Sequence, residues 1–166
     1  MSVARDILRT YRAPRVTLRR LLSDGPSEGR ALTWLMAAAV LLFAAQLPAL
    51  AREAHLSGGD PPFAALASGA LLGAVVIAPL MFYALAALSH IVARVLGGQG
   101  GWLGARIALF WALLAAAPLM LLRGLVAGFI GAGPALTITG SLAGGVFLFF
   151  WLAGLFEAER RSGPAR

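Results

Sequence analysis

The sequence predicts an all-α fold: a polytopic transmembrane helical bundle of about four spans, preceded by an N-terminal amphipathic interfacial helix. Three observations carry this. Apolar residues make up 60% of the 166 positions and charged residues only 13%, against about 25% charged in soluble domains. Mean hydropathy is +0.83. The charge is also segregated, leaving uncharged runs over Ala31–Ala51, Pro61–Ala93, Ile107–Leu122 and Gly124–Phe156. Each run is comparable to or longer than the roughly 20 apolar residues that cross a bilayer.

Residues 1–30 read as an Arg-rich arm. On a helical wheel Ile7, Leu8, Tyr11, Leu18, Leu21 and Leu22 share one side, opposite Arg5, Arg9, Arg12, Arg19 and Arg20. With Arg15, these arginines are the candidates for contact with anionic lipid headgroups or a partner. Pro14 divides the arm into two pieces. Its apolar face either lies in the headgroup boundary or docks on its own bundle.

The bundle is expected over residues 31–157, with spans at about 32–50, 63–95, 103–122 and 135–156 and a tail at 158–166. Ala49-Leu50-Ala51 resembles a signal-peptidase site, but the stretch before it is too long for such a leader, so an uncleaved first span is expected. The second span is too long to lie straight across a core of about 30 Å, and Pro79 is the expected bend; Pro118 is the counterpart in the third. Leu125–Ile130 is too short to cross and precedes Gly131-Ala132-Gly133-Pro134, so it reads as an outer loop or partial helix, and marks where a fifth span would fall.

All 14 basic residues are arginines, and 12 of them fall on one side of this topology, with only Arg52 and Arg123 opposite. The positive-inside rule then makes both termini and the loop at residues 97–102 cytoplasmic. Trp34, Trp102 and Trp151 are expected at the same interface, and Trp111 is expected to pack against another helix. Arginine in place of lysine, with abundant Ala and Gly, suits a bacterial chain, hence the inner membrane. Gly69-xxx-Gly73 and Gly140-xxx-Gly144 predict close helix packing and are compatible with homo-oligomers.

The net charge of +7 flanks apolar runs, so orientation explains it and nucleic acid is not an expected partner. No cysteine is present. Ser89, His90 and Arg94 form the polar constellation on a spanning helix: His90 and Arg94 share a face, as suits a proton relay or an anion site, but no acidic partner for His90 is visible within the spans. Helix packing or interface anchoring is the preferred role. His55 with Glu53 and Asp60 reads as ordinary loop residues, and Gly97-Gly98-Gln99-Gly100-Gly101 as a flexible turn lacking the Lys-Ser/Thr of a phosphate loop. No triad or nucleotide fingerprint appears, so neither enzyme activity nor a cofactor is expected.

Tyr11-Arg12-Ala13-Pro14 before the first span, a long second span ending in Arg94-Val95-Leu96-Gly97-Gly98-Gln99-Gly100, and Phe110-Trp111 in a helix reaching Pro118 together resemble the bacterial branch of the Yip family, named for Ypt/Rab-interacting proteins. The resemblance covers roughly Arg5 to Leu155. It implies a small polytopic protein with a cytoplasmic N-terminus that organises membrane partners without catalysis. The chain departs from eukaryotic members in lacking their acidic-aromatic arm motif and in showing four spans where they have five. The expected function is therefore a non-enzymatic scaffold or assembly partner for an unidentified membrane protein. The alternative is a small transporter or channel with a cavity near the bends at Pro79 and Pro118.

Overall fold

The chain is all-helical. A computed structural model describes residues 3–160, within which there are six helices and no strand. They are α1 (Val3–Arg12), α2 (Pro14–Ser23), α3 (Glu28–Leu56), α4 (Phe63–Val95), α5 (Trp102–Phe129) and α6 (Pro134–Arg160). The last four are long and apolar enough to cross a membrane, which makes this a multi-pass membrane protein.

Local chemistry sets the helix ends. Pro14 opens α2, where its fixed φ suits a first turn and its missing N–H has no intrahelical partner to lose. Ser27 caps α3, its hydroxyl accepting the Arg30 N–H at 3.3 Å. At the end of α4, Gly97 takes φ +91°; its N–H donates to the Arg94 carbonyl and that of Gly98 to the Ala93 carbonyl. This is a Schellman close, which requires the left-handed conformation that glycine adopts without strain.

The order of contacts gives the topology. Glu28 meets Arg106, Trp34 meets Trp111 and Ala45 faces Gly124, so α3 and α5 run parallel. Ala158 faces Gly104, Gly154 faces Ala108 and Arg123 faces Gly140, so α6 runs antiparallel to α5. Tyr83 with Phe110 and His90 with Trp102 place α4 antiparallel to α5 on another side. The central helix is α5, buried continuously from Ile107 to Ala117.

The two GxxxG patterns do not mediate packing within the chain. A Cβ added at Gly69, Gly73 or Gly144 would meet nothing within 4 Å, and at Gly140 only the Arg123 side chain. The close approach is made instead by Gly124 and Gly128, whose added Cβ atoms would lie 2.7 Å from the carbonyl carbons of Ala45 and Pro48 respectively. That explains a second correction. Of the two expectations for this stretch, loop or partial helix, the loop is wrong: Leu125–Phe129 forms the last turns of α5, held helical because these glycines let α3 and α5 touch backbone to backbone.

Of the two expected bend sites, the one at Pro79 adjoins a change in the helix ladder. Just before Pro79, α4 widens into a π-helical turn at Gly73–Ile77, with the Ala78 N–H bonded to the Gly73 carbonyl. Pro118 lies inside α5, which continues unbroken around it. Two boundaries move outward: α3 runs past residue 50 to Leu56, and α6 runs to Arg160 rather than yielding to a tail after residue 157. Arg161 and Arg166, which entered the charge count, lie outside the described residues.

Candidate functional site

The arm forms the expected helix pair around Pro14, and of its two sequence readings the structure shows docking on the bundle. Leu18 and Leu21 are buried in the main core, and Leu18 packs at Gly154, where a side chain on α6 would intrude. Thr10 accepts the Trp111 indole N–H at 3.0 Å. The Tyr11 hydroxyl donates to the Ala115 carbonyl at 3.0 Å while its ring meets Phe150 edge-on. At 1.5 Å per residue, Trp111 and Ala115 lie about 14 and 20 Å along α5 from Trp102, so the arm is let deep into the side of the bundle.

The arginines divide by role. Arg19 pairs with Glu157 at 2.7 Å and Arg20 with Asp6 at 3.1 Å; the hydrogen bond and charge of Glu157 raise the Arg19 guanidinium further above its ordinary range. Arg15 lies over the Phe156 ring at 5.8 Å, while Arg5, Arg9, Arg12 and Arg15 stay exposed. Leu8 and Val16 are likewise uncovered. Burial pushes the Tyr11 phenol up.

Of the tryptophans expected at the interface, Trp102 is exposed. Trp34 is buried instead, its ring 4.9 Å from Trp111, because α3 runs alongside α5 from its first turn. The Trp151 indole nitrogen is buried with no hydrogen-bond partner among the described residues. Trp111 packs as expected.

At the arm end of the bundle α4, α5 and α6 converge on His90, which is 3% exposed. Its acidic partner, not visible in the spans, is Glu159: Nδ1 lies 2.7 Å from Oε1, while Oε2 accepts the Gly100 N–H at 2.9 Å. The Glu159 carbonyl also accepts the Gln99 N–H at 3.0 Å. Glu159 escapes a sequence reading because it lies 69 residues away, at what looks like the start of a charged tail; only the continuation of α6 carries it inward. Ser89, also buried, bonds to the Ala86 carbonyl in its own helix, which leaves it a packing residue.

The glycine turn after α4 is closely packed around this carboxylate. A Cβ at Gly98 would lie 2.7 Å from Glu159 Oε2, and one at Gly100 2.9 Å from the Glu159 Cα. Glycine is needed at Gly100 because the α6 backbone comes too near for a side chain, and at Gly98 because the Ala93 carbonyl of α4 does.

The His90–Glu159 pair separates two crevices. One, of about 370 Å³, is lined by His90, Ile91, Arg94, Val95, Gly100 and Trp102, so the structure does bring His90 and Arg94 to one cavity. The other, of about 800 Å³, is a mainly aliphatic cleft between α4 and α6, with Gln99, Glu159 and Arg160 at its polar end. A third, of about 430 Å³, lies at the far end beside the π turn and includes Gln46 and Arg123 in a wall of mostly small and apolar residues. Glu53 and His55 belong to α3 and Asp60 to the following turn; no group of His, Asp or Glu able to hold a metal occurs among the described residues.

Fold and site together define a multi-pass α-helical membrane protein with a docked amphipathic arm and a buried His–Glu pair at one end. Comparison of the chain with protein families, curated proteins and solved structures found no match.

Proposed function

We propose that the chain is a non-enzymatic scaffold of the bacterial inner membrane, with its arm end in the cytoplasm, that assembles other membrane proteins along α4. One observation carries this. Only 11% of the most apolar window of α4 is buried, against 67% for α5, and its first half presents Gly69 and Gly73 with nothing near them. A spanning helix with an open small-residue face lets a second backbone come close, which is how helices associate where lipid removes the hydrophobic drive. The exposed Arg5, Arg9, Arg12 and Arg15 suit anionic headgroups beside such an assembly. This mode of action is what the likeness of Tyr11–Pro14 and Arg94–Gly100 to Yip proteins implies.

The absence of cysteine makes the test direct. Gly73→Cys, treated with a short thiol crosslinker in native membranes, should give one discrete adduct, and Leu142→Cys on α6 should give none. The scaffold reading fails if Gly73→Cys yields no adduct or the same smear as Leu142→Cys. A C-terminal reporter fusion should report the cytoplasm, as an even number of spans requires.

The transporter reading has one observation in its favour, the cavity at the far end beside the π turn with Gln46 and Arg123 in its wall. Reconstituted vesicles decide it: flux abolished by Arg123→Leu would support transport, and no flux across a panel of ions and metabolites would remove it.

A further inference from the structure

We infer that the crevice lined by His90, Arg94 and Trp102 is a binding site for a phosphate oxyanion. His90 supplies the first donor. Its Nδ1 is committed to the Glu159 carboxylate, which leaves Nε2, on the other edge of the ring, to the crevice; Nε2 donates there in the imidazolium form, in which both ring nitrogens carry a proton and which an oxyanion in the crevice itself favours. No hydrogen-bond partner for Nε2 occurs among the described residues, although the side chain is 97% buried. The ring cannot swing away, because Trp102 packs on it with centroids 4.5 Å apart.

Arg94 supplies the second. It lies one turn further along α4, lines the same cavity and has no ion pair or hydrogen bond among the described residues. The third contribution is the start of α5. Gly101 is its N-cap and offers no side chain to cap the first turn, so the amides of Trp102, Leu103 and Gly104 bring partial positive charge to the Trp102 edge of the crevice. The carboxylate behind the ring has both oxygens engaged, by His90 and by the Gly100 N–H, and the imidazolium standing between it and the crevice offsets its charge. No Asp or Glu lines the cavity itself.

A guanidinium fork, an imidazolium N–H and helix amides need a ligand with several acceptor oxygens and negative charge, which phosphate provides. At about 370 Å³ the cavity is at the small end of ligand pockets, room for a phosphate with a short substituent. That group belongs either to a phospholipid or to a soluble phosphate ester. Ile91 and Val95, both open at the crevice wall, offer an apolar track for the chain of a lipid.

The test uses the full chain in detergent, with native mass spectrometry following phosphatidylglycerol on one arm and inorganic phosphate and glycerol 3-phosphate on the other. Arg94→Gln should weaken binding about tenfold or more, the loss of one charge-assisted contact. Arg52→Gln, which removes the same charge at the opposite end of the bundle beside Gly128, should leave it unchanged. Loss of phosphatidylglycerol alone in Arg94→Gln assigns the site to a lipid, and parallel loss of the soluble probes assigns it to a phosphate ester. His90→Gln keeps a donor to Glu159 and should also weaken binding; should this buried variant not fold, the exposed Arg94 decides alone. Undiminished binding of every probe in Arg94→Gln, or equal loss in Arg52→Gln, overturns the proposal.

Discussion

The sharpest consequence of the fold is that two Gly→Ala substitutions should act in opposite directions, and against the order the GxxxG patterns suggest. At Gly124 an added Cβ would stand 2.7 Å from the Ala45 carbonyl carbon and 3.0 Å from its Cα, with the carbonyl oxygen nearer still. Ordinary carbon contacts lie at about 3.5–4.0 Å, so α3 and α5 would have to part by roughly 1 Å, forfeiting up to half of the dispersion energy across that contact. Overpacking of this kind costs about 1–3 kcal/mol, and the atoms in the way are backbone, which cannot rotate aside. The better helix propensity of Ala returns about 1 kcal/mol. Gly124→Ala should therefore destabilise the monomer by up to about 2 kcal/mol. At Gly73 the added methyl meets nothing within 4 Å, so Gly73→Ala should be neutral or stabilising by up to about 1 kcal/mol. Thermal unfolding of the two variants in detergent, followed by tryptophan fluorescence and monodispersity, measures the difference. Equal melting temperatures, or a lower one for Gly73→Ala in the purified monomer, would refute the assignment of close packing to the α3–α5 contact.

The docked arm and the His–Glu pair give further tests. Thr10→Val leaves the buried Trp111 indole N–H without its acceptor, at a cost of about 1–3 kcal/mol; limited trypsin should then cut at Arg12 and Arg15 sooner than in the parent chain, and an unchanged rate would count against docking. Tyr11 gives a pH dependence. Burial raises its phenol above the ordinary 10.0, so the folded arm holds the proton longer than the free chain does. The contribution is fully present below pH 10 and is lost as pH rises through the folded value. Arm release by the same proteolysis should increase above pH 10, and Tyr11→Phe should flatten that rise. Glu159→Ala strips acceptors from both His90 and the Gly100 N–H and should destabilise by about 1–3 kcal/mol for each group left buried and unpaired, while Glu159→Gln should recover part of the loss. Hydrogen exchange at the Gly100 amide reports it locally, and equal protection in both variants would contradict the bond.

Much of the architecture is legible in the sequence because membrane insertion is governed by local quantities. A run of apolar residues spans or does not according to its own length and composition, so four spans follow from where the charges fall. Pro14 divides the arm and Pro79 adjoins the disturbed turn of α4 because a missing N–H acts within a few residues of itself. Interhelical partners are another matter. Gly69 and Gly124 look alike in a list of small residues, and only the register of α5 on α3 decides that Gly124 meets backbone while Gly69 faces outward. Likewise Thr10 and Trp111 are 101 residues apart, and no periodicity along the chain brings a hydroxyl to an indole.

The sequence by itself determined that this protein lives in a membrane, how many times it can cross and which segment lies amphipathic beside it, since each depends on transfer of neighbouring side chains from water. The tertiary structure decided the rest: that the arm sinks into the bundle, that α5 is the central helix, and that Glu159 returns to His90. That last contact turns a solitary histidine into one half of a buried pair. It exists because α6 runs on past its apolar stretch and the glycine turn leaves room for its backbone.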